Sequence, residues 1–339
     1  VGNQNIILNG NPSKTFFKSV HHKYTNFGLQ KFRIDFDGQK NLRLNEESKF
    51  TFKIPRYAEL LLDSYLVINI PNIWSPIYPP QTNEEEWKPY EFKWIKNLGA
   101  LMIKKVTISV GGATLQEFTG EYLYNLVERD YSESKKKMFY QMTGNVPELN
   151  SPGNAGARIN QYPNSYYNTS PVGPEPSIRG RKLYIPISPW FSHSSKMAFP
   201  MVSMQYNELF IEVTLRSIKE LFLIRDVNNS DNNETYVQPN FNFDLHEMYR
   251  FLQPPPSVNL LKEDYLYKDV GSLWNADVHL ISTYCFLSAE ESKVFALNEQ
   301  KYLIKDIHEH IHYNVVGTKR LEIKTMGMVS NWMWYLKRS

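Results

Sequence analysis

The chain has 339 residues, of which 42% are hydrophobic and 22% charged, and a formal net charge of +3. That length and apolar content suit a globular protein with a real core, in one large or two medium domains. The small charge excess argues against direct binding to a genome, and no run of about 18 apolar residues is present to build a membrane-spanning helix.

Aromatic residues make up 14%, with 22 Tyr and 19 Phe, and aromatics favour strands. Cys285 is the single cysteine, so no intrachain disulfide forms. It sits in the apolar run Thr283–Leu287, which predicts a buried, inert thiol and folding in a reducing compartment. The chain opens at Val1 rather than Met, so trimming of the N-terminus is expected, and no secretory leader is recognised.

In chain order, residues 1–26 read as an N-terminal arm. His21, His22, Lys23 and Tyr24 make it basic and aromatic, which suits contact with acidic lipid headgroups or a small partner protein, at about 1 kcal/mol per basic residue. The alternative is an ordinary helix or arm packed under the body that follows. Phe32, Ile34 and Phe36 then alternate with polar residues, as do Phe50, Phe52 and Ile54. A period of two predicts strands with one wet face. Tyr65–Ile70 reads as a strand stopped by Pro71. Trp74 and Trp87 flank a loop rich in Pro and Glu, and are candidates for contact or exposed-loop roles. Met102, Val106, Ile108 and Val110 lead to Gly111-Gly112, a hairpin signal because both glycines accept positive φ, with Ala113–Phe118 as the return strand. Thr119 to Tyr131 has helical apolar spacing at 122, 123, 126 and 127, with Thr119 as the cap.

Residues 143–180 are rich in Pro, Gly, Asn and Ser and predict a long surface loop. Two more alternating strands follow, through Leu183, Ile185 and Ile187, and through Leu209, Ile211, Val213 and Leu215. Between them, Trp190 and Phe191 are candidates either for subunit contact or for core packing. Residues 225–272, with an Asn-rich run and Pro254-Pro255-Pro256, predict an inter-domain linker. Strands are predicted to resume at Asp277–Leu287, Tyr302–Tyr313 and Arg320–Leu336. The many short strands indicate an all-β sandwich or jelly roll with few helices.

Several segments resemble, in order, those of major capsid proteins of nucleocytoplasmic large DNA viruses. They are Gly10-Asn11-Pro12 with Thr15–Lys18 and Tyr24–Phe27, then Thr119–Tyr124, Leu183–Phe191 with Ala198–Glu208, and Tyr284–Ile304. The resemblance implies tandem jelly-roll β-barrels, a double jelly roll. It implies a homotrimeric capsomer of pseudo-hexagonal outline, tiling an icosahedral capsid assembled in the host cytoplasm. Partners would be neighbouring capsomers, minor capsid proteins and the internal membrane surface. On this reading the first roll covers 27–224, the linker 225–272, and 273–339 the start of a second roll. The remainder after 273 is too short for eight strands of even about 5–6 residues, so a truncated second roll is expected.

Enzymatic chemistry is weakly signalled. His308, His310 and His312 would share one face of a strand, as metal ligands do in some cupins, but the flanking glycines of cupins are missing and Glu309 falls on the opposite face. A phosphate loop and a Gly-x-Ser-x-Gly elbow are both lacking. No catalytic residue, metal ligand or cofactor is therefore expected. The alternatives kept are a cupin-like metal enzyme and a carbohydrate-binding jelly roll that uses loop aromatics. Sequons at Asn168, Asn228 and Asn233 fall in predicted loops, where chance matches are common.

Overall fold

The computed structural model describes residues 25–36, 38, 41–75, 77–78, 88–165, 175–225, 235–254, 271, 273–325 and 327–336. Eight strands form its framework: β1 (Phe27–Ile34), β2 (Ser48–Ile54), β3 (Leu60–Ile70), β4 (Ile103–Val110), β5 (Ala113–Phe118), β6 (Arg181–Ile187), β7 (Leu209–Leu215) and β8 (His279–Leu287). The first sheet has the order β1-β8-β3-β6 and the second β2-β7-β4-β5, all antiparallel. The two sheets share one core, and the order is that of a jelly roll.

Alternation sets the second sheet. Phe50, Phe52 and Ile54 of β2 meet Ile211 and Val213 of β7 and Val106 and Ile108 of β4, all buried. The β4–β5 hairpin is a two-residue loop in which Gly111 and Gly112 have φ of 56° and 86°. Positive φ at both positions is what a type I′ turn requires.

Helix α1 (Gly120–Asp130) follows directly, and Thr119 Oγ1 accepts from the Tyr122 amide at 3.3 Å. A Cβ at Gly120 would lie 1.9 Å from the Ala100 carbonyl oxygen, so only glycine lets this helix start against the turn at Leu98–Leu101. Arg216, just after β7, donates to the Leu101 carbonyl at 2.8 Å and to Glu121 at 2.6 Å, which fixes the helix to the roll. Helix α2 (Glu133–Thr143) packs Phe139 against Val127 of α1.

Three expectations need correction. Strand β8 does not open a second roll. It lies between β1 and β3 and supplies the eighth strand of the first, so the boundary drawn at 225–272 does not separate two bodies. The described parts of 225–272 are packed, with Met248 and Phe251 in the core. Likewise the predicted surface loop 143–180 contributes Leu149 and Ile178 to that core. Tyr162 from this loop donates its hydroxyl to the Phe92 carbonyl at 2.8 Å and accepts from the Phe92 amide at 3.0 Å. Finally, among the described residues Tyr302–Tyr313 and Arg320–Leu336 hold no strand. A strand needs a neighbour for its amides and carbonyls, and neither segment pairs with a described edge.

The connections sort by end. Those after β1, β3, β5 and β7 emerge at one end, and the last three are long. Their packed parts form a small sheet of Glu91–Trp94, Phe222–Arg225 and Tyr236–Val237. Phe92 stacks on Phe222 at 4.6 Å, while Trp94 meets Trp274 at 5.3 Å, plugging that end of the barrel. The connections after β2, β4 and β6 lie at the other end, where the chain enters β1 and leaves β8.

Candidate assembly surfaces

The outer face of the second sheet is polar. Across β2, β7, β4 and β5 the rows read Lys53–Phe210–Ser109–Thr114 and Thr51–Glu212–Thr107–Glu117. Ion pairs join Lys49 to Glu212 at 2.8 Å and Lys105 to Glu117 at 2.8 Å. These pairs are solvated and add little stability, about 0–1 kcal/mol each.

The outer face of the first sheet differs. Its rows read Leu29–Cys285–Leu60, Lys31–Thr283–Asp63, Arg33–Ile281–Tyr65–Pro186 and His279–Val67–Tyr184. Phe27 and Leu29 on edge strand β1 are 62% and 56% exposed. Next to them, Leu60, Ala198 and Cys285 form a satellite apolar cluster with Leu62, Leu287 and Phe295. Phe295 comes from helix α3 (Ala289–Leu297), whose cap residue Ser288 accepts from the Glu291 amide at 3.4 Å. Cys285 is buried as expected, and burial pushes its thiol pKa up, away from reactivity.

At the end where the chain enters and leaves lies an open groove of about 710 Å³, lined among others by Val110, Leu115, Trp190, Met204, Tyr206 and Tyr302. The segment after α3 borders it. Tyr302 donates its hydroxyl to the Ala198 carbonyl at 3.1 Å, and Gln116 Nε2 donates to the Lys305 carbonyl at 3.2 Å. Gln116 Oε1 also accepts from the Trp190 amide at 3.2 Å. The described residues beyond 310 are exposed and include Ile311, Trp332, Trp334 and Leu336.

The candidate contact residues separate clearly. Trp190 and Phe191 are buried, with ring centroids 5.2 Å apart, and Phe191 packs on Phe199 at 5.7 Å. They follow β6 in the short turn Trp190–Ser192 and pack into the core, the second of the two roles expected for them. Trp74 is half-buried and its amide donates to the Phe251 carbonyl at 2.9 Å. Trp87, the arm residues His21, His22, Lys23 and Tyr24, and the three sequons lie outside the described residues. His308, His310 and His312 are exposed and off any strand, so the same-face argument for three ligands lapses. Among the described residues no three His, Cys, Asp or Glu side chains are grouped to hold a metal. Gln116 escaped the sequence reading, although its signal was there: a polar residue on the inward parity of β5, shared with Phe118.

The roll thus carries one solvated outer face and one mixed outer face with an apolar patch at the Phe27–Leu29 edge. The model of the major capsid protein N-terminus matches residues 15–249, and the chain belongs to that family, the major capsid proteins of large DNA viruses, which are structural proteins and not enzymes. It is 24% identical over 308 residues to capsid protein 1 of Acanthamoeba polyphaga mimivirus, covering 90% of this chain and 42% of that one. It is 24% identical over 325 residues to the major capsid protein of Chrysochromulina ericina virus, covering 90% of this chain and 50% of that one. The PBCV-1 virus capsid structure aligns with a TM-score of 0.51 at 16% identity, over 86% of this chain and 50% of that chain. The chain thus spans half or less of the length of these relatives.

Proposed function

We propose that this chain supplies the N-terminal roll of a two-roll subunit that forms homotrimeric, pseudo-hexagonal capsomers of an icosahedral double-stranded DNA virus shell. The observation that carries this reading is the contrast between the outer faces. The second sheet is finished by its own ion pairs, whereas the first sheet exposes Phe27 and Leu29 beside a ready-made apolar cluster. Two large apolar side chains left exposed side by side at the rim of a buried apolar cluster offer an edge for association. Exposed Trp332, Trp334 and Leu336 on the segment leaving the roll support further contacts, either with the second roll or with a neighbouring copy.

The two ends take different roles on this reading. The long connections at the plugged end face outwards. The end where the chain enters and leaves faces inwards, towards minor capsid proteins and an internal membrane. Native mass measurement and electron microscopy of the full-length capsid protein test this. A stable trimer of hexagonal outline is expected, and a monomer at high protein concentration would overturn it.

A further inference from the structure

Strand β8 closes the roll, and its first residues are fastened by a charge cluster. Arg33 of β1 donates from Nε to Asp35 Oδ1 at 3.0 Å and from Nη2 to the same oxygen at 2.7 Å. The same guanidinium donates from Nη1 to Asp277 Oδ2 at 3.1 Å and from Nη2 to Asp277 Oδ1 at 2.7 Å. One planar fork thus grips two carboxylates, the geometry in which Arg pairs are strongest. Asp277 sits at φ 42°, a left-handed conformation that Asp tolerates better than most non-glycine residues.

His279 lies two residues further on and its ring is buried. Nδ1 is 2.6 Å from the Asp277 carbonyl oxygen and 3.5 Å from Asp277 Oδ2. The charged groups that face this ring are Arg33, Asp35 and Asp277, and Lys182 of β6 reaches Asp277. Burial lowers the pKa of His279 and Arg33 adds to this, while the bond to the Asp277 carbonyl and the charges of Asp277 and Asp35 oppose it; the net direction is downward, so the ring is neutral at neutral pH. In that state Nδ1 carries the proton and donates it to the carbonyl.

We propose that Arg33, Asp35, Asp277 and His279 form an acid-opened latch on the β1–β8 edge of the roll. A second proton on the ring, at Nε2, places a full positive charge in a buried position beside Arg33. The carboxylates able to neutralise it are already gripped by that arginine. Asp277 is drawn from the guanidinium towards the imidazolium, and β1, an edge strand paired on one side only, loses its tie to the start of β8.

The sign follows from linkage. The folded pKa of His279 is below its unfolded value of about 6.5, so the folded state binds fewer protons in that window. Its contribution to stability is complete above the unfolded value and is lost as the pH falls below it. Asp277, whose pKa Arg33 holds below the ordinary carboxylate value, adds a second loss only in stronger acid. The latch belongs to the roll itself and does not depend on how copies assemble.

Hydrogen exchange on the full-length capsid protein at pH 7.5 and 5.5, corrected for intrinsic rates, tests it. Amides of 27–36 and 277–287 should lose at least tenfold protection at pH 5.5, while those of 209–215 in β7 keep theirs. In His279→Gln the pH step should vanish, and in Asp277→Asn protection should be low at both values. An identical pH step in wild type and His279→Gln would overturn the latch. So would equal loss in β7 of the wild type, a comparison that decides the matter even where a variant fails to fold.

Discussion

The two sheets of this roll bury the same kind of inner face but finish their outer faces in opposite ways. In β2 and β7 every second residue is buried and its neighbours are wet or half-wet. In β3 and β8 long stretches are buried on both faces, because α3, the satellite cluster and adjoining strands cover the outer side. The sequences mirror this: Ser-Lys-Phe-Thr-Phe-Lys-Ile against Leu-Leu-Leu-Asp-Ser-Tyr-Leu-Val-Ile-Asn-Ile. A near-continuous apolar run marks a strand covered on both sides. Where such a sheet reaches the edge at β1, the cover stops and Phe27 and Leu29 are left exposed. The difference is what the proposed assembly rests on: on that reading the first sheet is the associating side of the block and the second sheet its solvated side.

The largest effect should come from the shared core, where the two sheets do not differ. Phe52→Ala removes a fully buried ring that touches the second-sheet interior and Phe36. A loss of about 3–5 kcal/mol in chemical denaturation is expected. Little change would mean that the inner faces are not packed as one core. Next comes Gln116→Leu. It deprives the Trp190 amide of its acceptor and releases the Lys305 carbonyl. About 1–3 kcal/mol should be lost for the unsatisfied buried amide, and limited proteolysis should cut within 300–310 sooner.

Much of the second sheet was legible from local pattern. Ile211 and Val213 alternate with polar residues, Gly111-Gly112 carry the φ values of a tight hairpin, and Thr119 caps its helix. These features depend on neighbours within a few residues. The position of β8 was not legible, because its partners on β1 are about as far away in sequence as Arg33 is from Asp277, 244 positions. A pattern shows that Leu280 and Tyr284 belong inside, but not against which edge. Composition misled in the connections. Pro, Asn and Gly announce a loop, yet the same segments deliver Leu149, Ile178 and Phe251 to the core. The latch residues escaped for the same reason as β8, since Arg33 and Asp35 look like an ordinary wet face until Asp277 is brought beside them.

Smaller again is the effect of breaking the solvated face. Lys49→Ser removes one ion pair between exposed Lys49 on β2 and half-buried Glu212 on β7. Denaturation should register no more than about 1 kcal/mol, and the loss should shrink further at high salt. A larger, salt-insensitive loss would show that this face is covered rather than wet.

The smallest effect on stability, and the sharpest test of the contrast, belongs to Phe27→Ser combined with Leu29→Ser. Both side chains are more than half exposed on an edge strand, so the folded subunit gives up little contact when they go. Denaturation midpoints should move by no more than about 0.5 kcal/mol equivalent, the range of ordinary surface changes. Association should respond out of proportion, because the two apolar side chains that extend the cluster of Leu60 and Cys285 to the edge are gone. Sedimentation of the full-length protein should therefore shift from trimer towards monomer for the Phe27/Leu29 pair, while Lys49→Ser leaves the trimer intact. Equal behaviour of the two variants would mean that the outer faces, although chemically different, do not divide the labour of assembly between them.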